Sequence, residues 1–331
     1  MQQTEQLHSF KFRFISNGAA RSIMAKKGEI DDERLILDGH EIRLANIADT
    51  ERRDDLMVLT LYNFGGFEKK LLKKLSEEGS LVLKMGAAET RRLERQIDRV
   101  SSVHDAKRVR VELEKNGEAD KFRVEKCPVC DATINLSNLD RTNYIHCRYC
   151  DTLLDYSRQP VDDPDEYYAC DECGMYSQNK SYTIFNFYFL LLFYGFSHKK
   201  RYLCPNCAHK AFVKAMLLNV LFILGIPSAI WIKIKAMQGR DAKYENLCKA
   251  NRLASDGKYQ EADQHYQSIL VKYADHPGIL LNQALAHFNG EDVPGGVAKL
   301  ERIFQVCANY NPALRLARAV HKLAQESEES R

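Results

Sequence analysis

Eight of the ten cysteines lie between positions 127 and 207, where they form four Cys-x-x-Cys pairs. The pairs are Cys127/Cys130, Cys147/Cys150, Cys170/Cys173 and Cys204/Cys207. A tight turn between two such cysteines directs both sulfur atoms at one centre, so two pairs supply the four ligands of a tetrahedral zinc ion. The spacing therefore predicts two structural Zn²⁺ sites, one built from the first two pairs and one from the last two.

The composition of the chain is that of a globular protein. Its 331 residues allow two or three domains, and 28% charged with 45% hydrophobic residues is ordinary for folded domains. A net charge of +3 does not require a nucleic-acid partner. Residues 1–10 are polar and show no secretory signal, and thiols at metal-binding spacing are typical of reducing compartments, so we expect a cytoplasmic protein.

The first cysteine group is Cys127-Pro-Val-Cys130 with Cys147-Arg-Tyr-Cys150, and a strand pattern precedes each pair, at 122–125 and at 144–146. This arrangement resembles the zinc-ribbon family, which implies a structural metal with no coordination position open to water. A redox dithiol and an iron–sulfur cluster are the competing interpretations. We expect His146 to be a surface residue and not a ligand.

The second cysteine group follows an acidic, proline-containing linker at 159–165 and encloses an apolar, aromatic insert at 182–196 that carries no charge. If the insert crossed a bilayer, its two Cys-x-x-Cys pairs would lie on opposite sides and could not share one zinc. A spanning helix also needs about 20 apolar residues. We therefore expect the insert to return to the side it left, as a re-entrant or interfacial hairpin, or to pack on the protein.

A second apolar segment, at 211–235, is predicted to be a membrane-associated helix or helical hairpin. Its uncharged part, 216–232, is at the lower length limit for a span, and Pro227 interrupts the middle. Basic residues flank it on both sides. With the insert at 182–196, it predicts membrane contact from the cytoplasmic face, whether peripheral, re-entrant or single-span. A buried hairpin in a soluble cytoplasmic protein is the alternative.

The N-terminal region, 1–105, alternates strand patterns with turn signals and closes with a helix pattern at 90–103. Phe10, Phe12 and Phe14 alternate with polar residues, and Asp38-Gly39 marks a hairpin turn. Several strands followed by one amphipathic helix resemble the pleckstrin-homology-like (PH-like) fold of bacterial proteins. The resemblance implies a domain that binds proteins, lipids or itself and is rarely catalytic.

Two further elements are predicted near this helix. Residues 67–78 read as a short helix with lysines on its outer side. Residues 107–114 and 119–125 read as a β-hairpin around Asn116-Gly117, because Asn-Gly accepts the positive φ angles of a tight turn. The second strand leads into Cys127, so the first zinc ribbon is expected to span 106–158.

The C-terminal region, 241–325, has helical patterns. Gly257-Lys-Tyr259-Gln-Glu-Ala262 resembles the second-helix signature of the tetratricopeptide repeat (TPR), and Pro277 opens a second, similar unit. The resemblance implies a surface that binds a protein partner. Because about three repeats are needed for an independent stack, this array is expected to pack on a neighbouring element or on another copy. Cys248 and Cys307 are expected to be buried, inert thiols.

Together these features predict an α+β multidomain chain. Its parts are a PH-like β domain at 1–105, zinc ribbons at 106–158 and 166–210, the apolar segment at 211–235 and TPR-like helices at 241–325. No catalytic constellation is recognised. The loop at 63–67 lacks the Gly-Lys-Ser/Thr ending of a P-loop, and Ser101, His104 and Asp105 are only neighbours on one helix.

We therefore expect a non-enzymatic, membrane-associated adaptor or scaffold that binds protein partners through the TPR-like repeats and the PH-like domain, with a second copy of the chain as an additional candidate partner. The alternative is a soluble zinc-ribbon protein that binds nucleic acid through Arg141, Arg148 and Tyr149. The near-neutral charge and the lack of a long basic patch argue against it. An enzyme with its active site in the N-terminal domain has the least support.

Overall fold

The computed structural model describes residues 8–16, 19–20, 24–53, 55–62, 69–73, 75, 80–170, 172–190, 193–219 and 243–329. The chain divides into two compact units, Met1–Asn138 and Leu139–Arg331. The loop at 63–67 and part of the lysine-rich helix at 67–78 fall outside the described residues. Of that helix the structure describes α1 (Lys69–Leu72), with Leu71 buried in the core of the first unit.

The first unit contains an antiparallel sheet with a long helix beside it. Its strands are β1 (His8–Ser16), β2 (Ala19–Ala20), β3 (Lys26–Ile30), β4 (Arg34–Leu37), β5 (His40–Arg43), β6 (Ile47–Arg53), β7 (Leu56–Leu61) and β8 (Ser80–Lys84). The strand order is β5-β4-β3-β1-β8-β7-β6, with β2 paired to β1. The alternating Phe10, Phe12 and Phe14 are all buried, and Asp38 and Gly39, with φ of 56° and 83°, close the predicted hairpin. Both predictions are confirmed.

Helix α2 (Ala87–Lys115) runs beside this sheet. Leu93 and Ile97 lie in the sheet core, which confirms the helix predicted at 90–103. The strand predicted at 107–114 is wrong, because α2 continues through it. The expected boundary between 105 and 106 therefore lies inside a helix, and the first unit ends with the short hairpin of β9 (Val124–Lys126) and β10 (Thr133–Asn135).

The second unit combines small hairpins with helices. Its strands are β11 (Ile145–Cys147), β12 (Thr152–Leu154), β13 (Tyr167–Ala169), β14 (Tyr176–Gln178), β15 (Lys180–Leu190) and β16 (Phe193–Leu203). Its helices are α3 (Pro205–Asn219), α4 (Leu247–Ser255), α5 (Tyr259–Lys272), α6 (Pro277–Asn289), α7 (Val293–Val306) and α8 (Asn311–Glu329). The helical character predicted for 241–325 is confirmed over the described residues from 243 onward.

The C-terminal helices pack on the hairpins. Met175 and Tyr176 share a core with α4, α5 and α6, and Leu153 shares a second core with α6, α7 and α8. The array thus packs on neighbouring elements of the same chain, one of the two arrangements expected for so short a set of helices. Cys307 is fully buried in the second core, whereas Cys248 is only partly buried, so the expectation of a buried thiol holds for Cys307 alone.

The two apolar segments have different outcomes. The insert at 182–196 lies in the β15–β16 hairpin, which returns the chain to its starting point. Helix α3 covers the beginning of the segment at 211–235, but residues 220–242, including Pro227, lie outside the described residues. Within the described ranges, no helix is both long and apolar enough to cross a membrane.

Candidate metal centres

Three of the four Cys-x-x-Cys pairs lie at the turn of a two-stranded hairpin, namely β9–β10, β11–β12 and β13–β14, with Cys147 as the last residue of β11. In each loop the residue after the second cysteine has a positive φ: 58° at Asp131, 57° at Asp151 and 72° at Gly174. This left-handed residue turns the chain back toward the second strand, with the Gly174 N–H donating to the Cys170 carbonyl at 2.8 Å. The fourth pair differs, because Cys204 directly precedes α3 and Cys207 lies in its first turn.

The first group contains the four cysteines predicted for it. Their sulfur atoms, one each from Cys127, Cys130, Cys147 and Cys150, all lie within 4.8 Å of one another. Cys127 and Cys147 are fully buried, and the other two are partly buried. The hydroxyl of Thr152 lies 3.0 Å from the Cys150 sulfur, where it can donate a hydrogen bond to a thiolate.

The second group also contains its four predicted members, Cys170, Cys173, Cys204 and Cys207, with all sulfur atoms within 4.8 Å of one another. The Cys173 and Cys204 sulfurs are 3.8 Å apart, which is about the separation of two ligands around a tetrahedral zinc with bonds of about 2.3 Å. The Cys207 N–H donates to the Cys204 sulfur at 3.3 Å. The β15–β16 hairpin makes this grouping possible, because its register pairs Lys180 with Leu203.

Each group can hold one metal ion, and zinc fits best. Four sulfur ligands in tetrahedral proximity suit zinc or iron–sulfur chemistry, and Cys-x-x-Cys hairpin loops favour zinc. Hydrogen bonds from the Cys173, Cys204 and Cys207 thiols lower the pKa of Cys170. With four thiolates bound to one zinc ion, no coordination position would remain for water or substrate.

No protein-family model, curated protein or solved structure matches this chain.

A buried polar cluster surrounds Asp162, a residue that lies between the two metal-binding groups in the sequence. The sequence patterns did not indicate this cluster. Asp162, in the acidic linker at 159–165, is only 7% exposed. Its carboxylate accepts hydrogen bonds from the hydroxyls of Tyr176 and Tyr244, the latter at 2.7 Å, and pairs with Lys243 at 2.6 Å and His276 at 3.2 Å. Burial by itself would raise the pKa of Asp162, but the bonds from His276, Lys243 and Tyr176 outweigh burial and hold this pKa well below its usual range.

His146, next to Cys147, is a second buried polar residue that the sequence patterns did not indicate. It lies outside the four-cysteine groups and is 2% exposed, so its assignment to the surface is wrong. The Asn309 side chain accepts a hydrogen bond from the backbone N–H of His146 at 2.9 Å and donates one to the backbone carbonyl of His146 at 2.8 Å. The Tyr310 ring packs against the imidazole edge to face. These contacts attach β11 to the start of α8.

The remaining candidate residues lie on α2 and beside the first metal-binding group. Ser101, His104 and Asp105 lie along α2, where the Ser101 hydroxyl donates to the Asp98 carbonyl and Asp105 accepts from Tyr62. Near the first centre, the Arg148 guanidinium lies 4.8 Å from the centre of the Tyr149 ring.

Proposed function

We propose that this protein is a non-enzymatic adaptor at a membrane surface, in which two structural zinc centres fix the surfaces that bind its partners. The observation that carries the proposal is the shared packing of the zinc-ribbon hairpins and the C-terminal helices. Tyr176, three residues after Cys173, is buried against the helices and bonded through its backbone to Asn282 and Asn251. Zinc would thus stabilise the helices as well as the ribbons.

The helical surface offers a candidate contact site for a protein partner. A cavity of about 680 Å³ lies at the ends of α5 and α6, lined by Lys258, Tyr259, Glu261, Asp263, His287 and Asp292. The two helix pairs α4–α5 and α6–α7, joined by short turns, support the TPR-like interpretation, in which such surfaces bind peptide segments.

The β15–β16 hairpin supports the membrane part of the proposal. Residues 182–196 are uncharged and rich in Tyr and Phe, which favour the headgroup region of a bilayer. Because open sheet edges are not tolerated in hydrocarbon, an interfacial position suits this hairpin better than a re-entrant one. Lys199, Lys200 and Arg201 on β16 would attract anionic headgroups, each adding about 1 kcal/mol.

The N-terminal sheet supports the PH-like part. Several antiparallel strands followed by one long helix are the element order that the resemblance implies. We assign this unit to binding of a protein or an anionic lipid.

The membrane part is tested by vesicle flotation of the full-length, zinc-loaded protein. We expect it to float with vesicles containing phosphatidylserine and to bind less to neutral vesicles. A protein that stays with the buffer in both cases would contradict the proposal.

The adaptor part is tested by partner capture with cavity variants, since deletion of 241–331 would uncover Tyr176 and Leu153 and unfold the ribbons. Glu261→Lys, at an exposed position in the cavity lining, should lose captured proteins that the wild type retains. Glu301→Lys makes the same charge change at an exposed position of α7 outside the cavity and should retain them. Equal capture by both variants would count against the cavity.

A further inference from the structure

The β15–β16 hairpin has two long edges. Eleven residues of each strand are directly paired, from Lys180 with Leu203 to Leu190 with Phe193, and the hairpin is about 35 Å long at roughly 3.3 Å per residue. It forms a two-stranded sheet, and no other described strand pairs with it. Each strand therefore directs one row of backbone N–H and C=O groups away from the hairpin without a strand partner among the described residues.

Such a hairpin is poorly suited to stand alone. Two-stranded hairpins are marginally stable in water at best, and residues 181–197 carry no charge that would keep other strands away. The hydrocarbon of a bilayer is no better, because unpaired backbone groups are not tolerated there. A third strand satisfies the row of backbone groups in either surrounding, and an uncharged edge is the usual template for one.

The two edges differ in charge. Strand β16 carries Lys199, Lys200 and Arg201, and lysines on an edge strand are a common protection against pairing. Strand β15 carries only Lys180, at its first position. Two copies of β16 would bring six positive charges together, whereas two copies of β15 would not. The β15 edge is therefore the one open to association.

We propose that β15 of one copy pairs antiparallel with β15 of a second copy, which joins the two hairpins into a four-stranded sheet. A two-fold axis across the strand makes the contact self-complementary, as in most homodimers. The second metal centre holds the base of the hairpin, because Tyr182 and Leu203 pack with Cys170, Cys204 and Ala208. Each copy thus presents the strand from a fixed base.

The register identifies which backbone groups would make the contact. Leu190 and Phe193 are paired and flank a connection of two residues. In such a hairpin the two flanking residues form a pair joined by backbone hydrogen bonds. Hydrogen-bonded and non-bonded pairs then alternate along the ladder. The N–H groups of residues 183, 185, 187 and 189 therefore point away from β16, and a proline at one of these positions removes an outward donor while leaving the ladder to β16 intact.

The test is the mass of the full-length, zinc-loaded protein in nonionic detergent, by light scattering after size exclusion. Wild type should have twice the 38.0 kDa chain mass, and Phe187→Pro should have the mass of one chain. Phe187→Ala removes the same ring but keeps the N–H, and it should remain a dimer. A wild type that is monomeric at every concentration, or a Phe187→Pro variant that remains dimeric, would overturn the proposal.

Hydrogen exchange of the wild type tests the proposal without a variant. In the dimer, the amides of residues 183, 185, 187 and 189 should exchange at least roughly tenfold more slowly than after dilution to monomer. Fast exchange of these amides in the dimer would place the contact elsewhere and refute the proposal. Flotation on vesicles is a separate readout: a monomeric Phe187→Pro protein that still floats keeps the proposed membrane role, and a dimer that does not float removes it.

Discussion

At the scale of single residues, Asp162 fixes the chain between the two metal centres. Its carboxylate reaches Tyr176 on β14, Lys243 and Tyr244 ahead of α4, and His276 at the start of α6. A buried carboxylate stabilises the fold only while these partners surround it. Removing the carboxylate charge leaves the partners buried without compensation. The linker is therefore a folded part of the second unit.

Asp162→Asn should lower the free energy of unfolding by about 3 kcal/mol at neutral pH. The pKa of Asp162 is lower in the folded protein than the unfolded value of about 3.9, so its stabilisation is complete above about pH 5 and is lost as the pH falls through the folded-state pKa. The carboxylate itself should therefore stay ionised at neutral pH, where the loss is measured in denaturant titrations. A loss below about 1 kcal/mol, with zinc still bound, would contradict the role assigned to the carboxylate.

Gly278 is a second residue on which the packing depends. A Cβ atom at this position would overlap the ring of the buried Tyr176, so the ribbon and α6 can approach only with glycine here. Gly278→Ala should lower the free energy of unfolding by about 1–3 kcal/mol. Gly86→Ala, where an added Cβ meets nothing within 4 Å, should change it by under about 1 kcal/mol. Similar values for the two variants in denaturant titrations would argue against a tight contact at Gly278.

At the scale of elements, side-chain amides join β14 to the helices. The Asn282 side chain accepts from the Tyr176 N–H at 2.7 Å and donates to the Tyr176 carbonyl at 2.8 Å, as a neighbouring strand would. Asn251 donates to the same carbonyl at 3.0 Å. The helices thus supply the backbone partners that the short hairpin lacks.

Asn282→Leu keeps the side-chain volume but leaves the Tyr176 N–H buried without an acceptor. The expected loss is roughly 1–3 kcal/mol of unfolding free energy. Gln264→Leu, the same kind of change at an exposed position of α5, should stay within about 0.5 kcal/mol. If denaturant titrations give equal values for the two, the amide contact does not hold β14 to α6.

The elements that the sequence predicted correctly depend on local patterns, whereas the strand at 107–114 was predicted wrongly because one local pattern has two structural meanings. The cysteine spacing identified both metal groups, and the alternation of Phe10, Phe12 and Phe14 identified β1. Asn116-Gly117 was misread because the same dipeptide also ends helices. Here Gly117, with φ of 72°, and Glu118 donate to the carbonyls of Glu114 and Leu113, a Schellman cap.

The missed parts of the metal-site surroundings have a different cause. His146 was expected at the surface, and no sequence pattern indicated that Asp162 is buried, because polar residues in a short, turn-rich stretch are usually exposed. Their partners, Asn309 and His276, lie more than 100 residues further along the chain. No local pattern indicates such a contact, so burial of these two residues required the fold.

At the scale of the whole molecule, we expect the regular structure of the second unit to depend on zinc. Its hairpins are three residues long per strand, apart from β15–β16, and such hairpins are unstable alone. The helices pack on those hairpins, so the loss of metal should spread from the ribbons into α4, α5 and α6. Structural zinc binding contributes about 10–16 kcal/mol in small zinc-binding peptides, enough to decide the folding of the unit.

The most direct test is metal analysis of the full-length protein combined with hydrogen exchange before and after zinc removal by a chelator. The predicted result is two zinc ions per chain and, after their removal, exchange in α4, α5 and α6 that is at least roughly tenfold faster. Protein that binds fewer than two zinc ions, or helices that remain equally protected without zinc, would contradict the structural role assigned to the metal centres.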